Sequence, residues 1–260
     1  MKFPTPSLRH GLAVAAFLAM SAAGVAPSHA ADRFDAAVGA PNRNAGDDKR
    51  DAVDHPAQIL RLTGIGPGMH VADVLAGDGY YSELLSALVG PKGHVLMLNN
   101  SAFDKWSDGG RQKRLAGNRL SNVEYRVVDL DHMDLAANSL DAIVLSKVYH
   151  DLYWVDATGE WPKFDTSGVL DHLVAALKPG GVLLLVDHSA QAGHGSHDAS
   201  SLHRIEESFA RHDFEKRGLH VIAHSDALRM PDDKRDMVSY KPPMLYKTDR
   251  FVLVFRKASR

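Results

Sequence analysis

The 260-residue chain contains no cysteine at all. This absence excludes disulfide bonds, thiolate metal ligands, a cysteine nucleophile and a lipoprotein anchor, so stability must come from the core. The chain also lacks an excess of either charge, since 30 Lys and Arg residues face 32 Asp and Glu residues, for a formal net charge of −2. Such a balance provides no basic footprint for nucleic acid and no polybasic membrane patch.

Hydrophobic residues make up 45% of the sequence and charged residues 24%, which is an ordinary composition for a globular protein. The length suits one large α/β domain with a substantial core and is marginal for two domains.

The first thirty residues differ from the rest. Lys2 and Arg9 precede the apolar stretch "GLAVAAFLAMSAAGVA", and small residues follow at Ser28 and Ala30. This pattern predicts a cleavable Sec-type signal peptide over residues 1–30, with cleavage after Ala30 and a periplasmic or secreted product. A membrane anchor is the alternative, but the segment is short and only weakly hydrophobic for a bilayer span. We therefore expect no stable membrane insertion after cleavage.

The next segment, residues 31–54, is polar and turn-rich and is interpreted as a flexible N-terminal lead-in. The pattern changes at His55, where Pro56 suits the first turn of a helix. The main domain is predicted to occupy residues 55–260.

Strand-like and helical stretches alternate through that domain, which predicts successive βαβ units. The expected strands are 69–75, 94–99, 123–128, 141–146, 181–187, 219–224 and 250–256, and the expected helices are about 80–89, 102–117, 166–177 and 203–217. The last two strands flank a long loop over 225–249 and can pair antiparallel. The predicted fold class is α/β: a Rossmann-like, doubly wound, seven-stranded, mostly parallel sheet with an antiparallel edge strand.

The most informative short stretch is "VADVLAGDGYYSELL", residues 71–85. Gly77 and Gly79 allow a sharp turn at the carboxyl end of the first strand, where a ligand crevice is expected in an open parallel sheet. A dinucleotide is disfavoured because Asp78 would place a carboxylate near the pyrophosphate. S-adenosylmethionine has no phosphates and its cationic groups suit an acid such as Asp73. On this stretch alone, a turn that holds no ligand remains open.

Four segments extend the pattern: residues 73–79, "GHVLMLN", "VEYRVVDLDHMDLAANSLDAIVLSKVYHDL" and "LKPGGVLLLVDHS". In this order and spacing the chain resembles class I S-adenosylmethionine-dependent methyltransferases over roughly residues 55–256. The tail resembles a subgroup of exported, predicted bacterial methyltransferases.

The resemblance implies S-adenosyl-L-methionine as cofactor, with the methionine end at the glycine turn, the ribose at residue 99 and the adenine at residue 129. The implied cofactor-binding residues are Asp73, Ala76, Gly77, Gly79, Tyr80, Asn99, Asp129, Leu130 and Ser146. Two positions depart from the family pattern. Leu75 replaces its first glycine, and Asn99 replaces the acid that holds the ribose, so the hydrogen bond there has no charge assistance.

Methyl transfer is an in-line displacement in which the protein aligns donor and acceptor and removes a proton where needed. The resemblance places His150 opposite the methyl group, so His150 and Asp151 are the predicted catalytic residues. A loop histidine bonded to Asp151 for local structure is the alternative. The predicted substrate-binding residues are Tyr149, Tyr153, Asp187, His188 and Arg204. Cap packing of the tyrosines and a surface pair between Arg204 and Glu207 are the corresponding alternatives.

A histidine-rich stretch, "DHSAQAGHGSHDASSLHR", follows the fifth strand. A metal site is conceivable there, but His194 and His197 lie among Gly and Ser, so solvated loop histidines are favoured and no metal is predicted. The stretch "PDDKRD" (231–236) is interpreted as a solvated loop, with a lid over the site as the alternative.

The sequence therefore predicts an S-adenosylmethionine-dependent methyltransferase that acts on a small-molecule acceptor. A non-catalytic, methyltransferase-like binding module in the periplasm is the second hypothesis, favoured by Leu75 and Asn99. A nicotinamide-dependent oxidoreductase is a weaker third.

Overall fold

The computed structural model describes residues 1–2 and 32–259. Apart from its first two residues, the predicted signal peptide with its cleavage site after Ala30 lies outside the described residues. Within the part that the structure describes, no helix combines the length and the apolar character needed to cross a bilayer.

A seven-stranded sheet forms the centre of the domain. Its strands are β1 (His70–Val74), β2 (His94–Asn99), β3 (Val123–Val127), β4 (Leu140–Ser146), β5 (Leu177–His188), β6 (Leu219–Ser225) and β7 (Arg250–Lys257). The order across the sheet is β3-β2-β1-β4-β5-β7-β6. The first five strands are parallel, and β7 runs antiparallel between β5 and β6. The predicted fold class is confirmed.

Helices cover both faces of this sheet. They are α1 (Arg33–Val38), α2 (Asp47–Asp54), α3 (Pro56–Arg61), α4 (Tyr80–Val89), α5 (Ser101–Leu115), α6 (Thr166–Ala176), α7 (Ala199–Leu202) and α8 (Glu207–Glu215). The predicted helix over 203–217 begins later, at Glu207, because Ile205 forms a β-bridge with Ser189.

Alternation along the strands separates two apolar layers. Val71 belongs to one layer, together with side chains of α1, α3 and α4, whereas Ala72 and Val74 belong to the other, with side chains of α6 and α8. Both layers are needed because successive side chains of a strand point to opposite faces, and the central strands are largely apolar on both of them.

Residues 32–54 do not form the flexible lead-in that the sequence predicts. Asp32 caps α1 by accepting hydrogen bonds from the backbone amides of Phe34 and Asp35, at 3.0 and 3.1 Å. Helix α2 is mostly polar, yet it buries the acids at its two ends, Asp47 and Asp54. The prediction failed because α2 is held by charge pairing with distant segments and not by an apolar face.

Asp54 is the centre of that pairing, and its side chain is 2% exposed. Its carboxylate lies 2.7 Å from Lys147 Nζ and 3.0 Å from Arg50 Nε, and it also pairs with Arg250. Burial alone would raise the pKa of the Asp54 carboxyl, but the three cations hold it well below its usual range. The cluster joins α2 to the end of β4 and to the start of β7.

A second buried cation, Arg114 of α5, is 1% exposed. Its guanidinium donates to Asp47 at 2.9 and 3.0 Å, to the Asp78 carbonyl at 2.9 Å, and to the carboxylate of Glu83. One side chain thus fastens α2, the glycine turn and α4 to α5.

We expect Asp54→Asn to lower the free energy of unfolding by about 3–5 kcal/mol, because the change leaves buried cations without their anion. The matched control is Asp35→Asn, which removes a pair with Arg61 whose carboxylate is 54% exposed, and should cost about 1 kcal/mol or less. Urea unfolding of the two variants measures the difference. Equal losses would contradict the role of the Asp54 cluster.

Candidate functional site

The candidate site lies at the carboxyl edge of the parallel strands, where the loops after β1, β2, β4 and β5 converge. A crevice is expected at this edge because the strand order reverses between β1 and β4, so the following connections run to opposite sides. Every predicted site residue from Asp73 to His188 lies at or just beyond the carboxyl end of a strand, but the structure does not bring all of them together.

The turn after β1 adopts left-handed backbone at three positions: Leu75 at φ +53°, Gly77 at φ +59° and Gly79 at φ +84°. A left-handed conformation costs a side-chain-bearing residue about 1–2 kcal/mol, which explains the glycine of the family pattern at position 75. Leu75 is only 2% exposed and packs in the core, and this burial offsets the strain.

Asn99 fixes that turn from the end of β2. Its Oδ1 accepts a hydrogen bond from the Gly77 amide and its Nδ2 donates to the Gly77 carbonyl, both at 2.9 Å. The side chain is fully buried. An aspartate could accept the first of these bonds but could not donate the second. The expected ribose contact does not fit this arrangement, because Asn99 is turned towards the protein backbone.

Asp73, at the end of β1, is 2% exposed and accepts a hydrogen bond from Ser82 Oγ at 2.6 Å. Burial raises the pKa of this carboxyl to about 7. Asp73 therefore stabilises the first turn of α4, and near neutral pH its carboxyl is divided between the protonated and ionised forms.

Helix α2 covers the outer side of the turn. The Tyr80 hydroxyl donates to Asp51 at 2.5 Å, and the guanidinium of Arg50 lies 3.8 Å from the centre of the Tyr80 ring. Tyr80 is buried by these contacts. The predicted lead-in is thus part of the site that the glycine turn forms.

The remaining predicted cofactor residues are spread along the edge. Ala76 donates its amide to the Leu98 carbonyl, and Ser146 ends β4 half-buried. Leu130 is in the core. Asp129 is 63% exposed and caps the short 3₁₀ turn that follows it, so no contact ties it to the glycine turn.

Beyond β4 and β5 lies a cavity of about 370 Å³. Its apolar lining is aromatic and comes from four side chains: Phe103, Trp106, Trp154 and Tyr240. Its polar lining comes from Lys147, His150, Asp151, His188, His203 and Ser239. The cavity combines flat apolar surfaces with groups that can bind polar atoms, as small-molecule sites do.

The three tryptophans of the chain assemble beside this cavity. Trp106 stacks on Trp161 with ring centres 6.0 Å apart, and Trp154 lies 5.4 Å from Trp161. Sequence reasoning missed this wall because Trp106 follows β2 and the other two follow β4. Only the shared carboxyl edge brings them together.

His150 lies where the sequence predicts, in the cavity after β4, and is 3% exposed. Its Nδ1 is 2.6 Å from Asp187 Oδ1 and its Nε2 is 3.2 Å from Asp151 Oδ1. Burial alone would lower the pKa of His150, but the two carboxylates raise it to about 10. A raised pKa does not favour proton abstraction, so the role of His150 as a general base stays a prediction.

Asp187 and His188 end β5 behind His150. Asp187 is fully buried and accepts from the His150 amide at 2.8 Å and from the His188 amide at 2.7 Å, so it positions His150 and has no surface for a substrate. His188 reaches the cavity and its Nδ1 is 2.8 Å from Thr248 Oγ1. Burial and the neighbouring cations keep the pKa of His188 well below its usual value, so the ring is neutral.

The structure does not place the predicted substrate wall of Tyr149 and Tyr153 at this cavity, and a substrate contact of Tyr153 stays a prediction. Both hydroxyls donate to Asp213 of α8, that of Tyr149 at 2.6 Å, and Tyr149 has no exposed surface. Neither ring lines the cavity that contains His150. The tyrosines pack between β4 and α8 because Asp213 supplies the buried acceptor that their hydroxyls require.

The predicted anion-binding role of Arg204 is wrong. Arg204 is fully buried and donates to Asp233 at 2.8 Å, to the Met237 carbonyl at 2.8 Å, and to the Ser189 carbonyl at 3.0 Å. Its expected alternative partner, Glu207, pairs with Arg229 instead. Because Arg204 anchors the long loop before β7, Ser239 and Tyr240 of that loop reach the cavity, so the "PDDKRD" stretch is not simply solvated.

Comparison with known proteins gives a consistent picture. Residues 72–185 match a family model described as a methyltransferase domain. The chain is 25% identical over 172 residues to the ubiquinone/menaquinone biosynthesis C-methyltransferase UbiE of Vibrio cholerae, covering 65% of this chain and 58% of that protein. The UbiE of Haemophilus ducreyi is 27% identical over 132 residues, covering 50% of this chain and 45% of that protein. The chain thus spans about half the length of these curated relatives.

Solved structures confirm the fold. An S-adenosylmethionine-dependent methyltransferase from Aquifex aeolicus superposes with a TM-score of 0.57 at 19% identity, covering 80% of this chain and 92% of that one. The [4+2]-cyclase SpnF superposes equally well, with a TM-score of 0.57 at 14% identity over 81% of this chain and 83% of that one. The fold is the Rossmann-like methyltransferase fold, and the second likeness illustrates that a fold does not determine a reaction.

The raised pKa of Asp73 predicts a pH dependence of stability. Between the unfolded pKa near 3.9 and the folded pKa of about 7, the folded protein binds more protons, so the free energy of unfolding falls as the pH rises. Asp73→Asn keeps an acceptor for Ser82 and removes this dependence. We expect the variant to be more stable than the parent protein at pH 8, by up to about 4 kcal/mol, with a smaller advantage at pH 5.

Urea unfolding at the two pH values measures the effect. Asp129→Asn is the control. The pKa of this exposed carboxyl is lowered, so its protonation changes the free energy of unfolding only below pH 4. An advantage of Asp73→Asn that is the same at both pH values would contradict the prediction.

Proposed function

We propose that this protein is an S-adenosylmethionine-dependent methyltransferase that acts on a small, ring-containing acceptor. The observation that carries the proposal is the pairing of two features at one sheet edge. A glycine turn with left-handed backbone follows β1, and an aromatic cavity with His150 at its polar end follows β4. The methyltransferase family model over residues 72–185 and the relatives support the reaction class.

The glycine turn fits the methionine end of the cofactor. A Cβ built on Gly77 meets no protein atom within 4 Å, so there is free space beside this residue for a ligand. Gly77 would contact this end of the cofactor, Asn99 keeps the turn in shape, and the buried Asp73 supports the turn through Ser82. When bound, the cofactor supplies a methyl group activated by its positive sulfur.

The acceptor would lie in the cavity. The rings of Trp154 and Tyr240 provide flat surfaces for a planar molecule, and His150 and Asp151 provide partners for its polar group. The UbiE relatives are named for ubiquinone and menaquinone biosynthesis, which favours a ring as the acceptor class. Rigid walls matter here because in-line transfer requires donor and acceptor in near-contact alignment.

The first test is cofactor binding to Gly77→Ala by calorimetry. The new methyl group would occupy the free space beside Gly77, so we expect at least a tenfold loss of affinity for S-adenosylmethionine. Gly68→Ala is the matched control. Gly68 also has a positive φ and no atom within 4 Å of a built Cβ, but it precedes β1, at the opposite edge of the sheet.

Both substitutions carry a similar backbone cost, so their stabilities should fall together and only their affinities should differ. Unchanged affinity in Gly77→Ala would place the cofactor elsewhere. NAD serves as the competing ligand in the same titrations, and preferential binding of NAD would favour an oxidoreductase.

The second test is acceptor turnover. The protein is incubated with S-adenosylmethionine and a panel of small phenols, catechols and hydroquinones, and release of S-adenosylhomocysteine is measured. For an acceptor found in this way, Tyr240→Ala should raise KM by about tenfold, because the ring contributes about 1–1.5 kcal/mol of stacking. Tyr246→Ala is the control, since this tyrosine of the same loop is 54% exposed and does not line the cavity.

One observation favours a second candidate, a binding module without catalysis. Asn99 uses its amide on the Gly77 backbone, and the family acid that would bind the ribose is absent. Cofactor binding without turnover of any acceptor in the panel would favour this module. Export to the periplasm stays a prediction for either candidate.

A further inference from the structure

The cavity contains a cluster of side chains that could bind a metal ion. The methyl-transfer proposal does not assign them this role. One nitrogen from each of His150 and His203 and one carboxylate oxygen of Asp151 lie within 4.8 Å of one another. All three residues line the same cavity. His150 and Asp151 are buried, and the side chain of His203 is 16% exposed. The ligand atoms therefore converge in a site that is closed on the protein side and open on the cavity side.

The spacing of these atoms suits a metal as well as it suits long hydrogen bonds. Asp151 Oδ1 is 3.2 Å from His150 Nε2 and 3.3 Å from His203 Nδ1. Charge-assisted hydrogen bonds are shorter, about 2.7–2.9 Å. In contrast, two ligands on a tetrahedral zinc ion at about 2.0–2.1 Å are separated by about 3.3 Å. Both observed distances match this separation between two ligand atoms.

A supporting residue orients the first ligand. Asp187 receives the Nδ1 hydrogen of His150 at 2.6 Å, while its other oxygen accepts from the His150 amide at 2.8 Å. This bond fixes the ring and leaves Nε2 directed at Asp151. Metal-binding histidines usually donate their second ring nitrogen to a carboxylate or carbonyl in this way.

The second histidine is also held in place. His203 has a left-handed backbone at φ +50°, and its ring packs against Tyr240 at 4.7 Å and Trp154 at 5.0 Å between ring centres. Those contacts set the ring orientation before any ion arrives. The site is therefore preorganised by aromatic packing on one side and by Asp187 on the other.

We propose that His150 Nε2, the Asp151 carboxylate and His203 Nδ1 form a binding site for a divalent transition metal of the zinc class. Two imidazoles and one carboxylate are a donor set that such ions accept, with a further position open to the cavity. A polar atom of the acceptor, or water, would take that position. The inference differs from the sequence-based expectation that no metal is needed, and it stands independently of methyl transfer.

The chain offers an internal control. His194, His197 and Asp198 form another histidine–aspartate group, with His194 Nδ1 2.8 Å from Asp198. The side chain of His197 is 85% exposed, and no carboxylate beyond Asp198 is found near it among the described residues. Adventitious zinc binding would involve these loop histidines as readily as His203.

The test is a zinc titration of the full protein after treatment with EDTA, followed by calorimetry, together with the visible spectrum of the Co²⁺ form. We expect one high-affinity ion per chain and the intense visible bands of low-coordinate cobalt. Asparagine tolerates a left-handed backbone, so His203→Asn should fold. This variant should lose the cobalt bands and bind zinc at least 100-fold more weakly. Asp187→Asn should weaken zinc binding about 10–100-fold, and His197→Asn should change neither signal.

Three outcomes would overturn the inference: no stoichiometric zinc in the parent protein, equal affinity in His203→Asn, or loss of binding in His197→Asn. Thermal unfolding establishes that each variant is folded. If His203→Asn does not fold, Asp151→Asn takes its place as the variant that lacks a ligand. The titration contains no S-adenosylmethionine, so its result does not depend on whether the protein transfers a methyl group.

Discussion

The site depends on one buried carboxylate, Asp54, which faces Lys147, Arg50 and Arg250. A cation or an anion left alone in this place would carry a large desolvation penalty, so the four residues are stable only together. Their assembly fastens α2 to the ends of β4 and β7. It thereby closes the outer side of the glycine turn and places Lys147 at the border between that turn and the aromatic cavity.

Buried arginines repeat this kind of link elsewhere in the cysteine-free chain. Arg114 connects α5 to Asp47, far earlier in the sequence, and Arg204 connects the end of β5 to Asp233 in the loop before β7. Each guanidinium also donates to backbone carbonyls, which fixes the direction of the chain as well as its position. The sheet provides the frame, and these pairs determine which loops cover its carboxyl edge.

This difference between the sheet and the long-range charge pairs explains which features could be predicted from the sequence. Strand runs, the glycine turn and the place of His150 follow from local patterns, because apolar runs and a Gly-x-Gly turn carry their signal within a few residues. The predictions for three features were wrong because the partner of each is remote in sequence. Asp54 of the lead-in pairs with Lys147. Arg204 pairs with Asp233, and Tyr149 donates to Asp213. The tryptophan wall was missed for the same reason. A single side chain gives no indication of which distant charge or ring it will meet.

The two departures from the family pattern are parts of one arrangement. Leu75 can occupy a left-handed position because its side chain is buried in the core, and Asn99 holds the neighbouring Gly77 through both of its backbone groups. An aspartate at 99 would lose one of those bonds and would weaken the turn just where Leu75 strains it. The amide at position 99 therefore serves the backbone of the turn, and a ligand bound at this turn must be held mainly by the turn itself and by the cover that α2 provides.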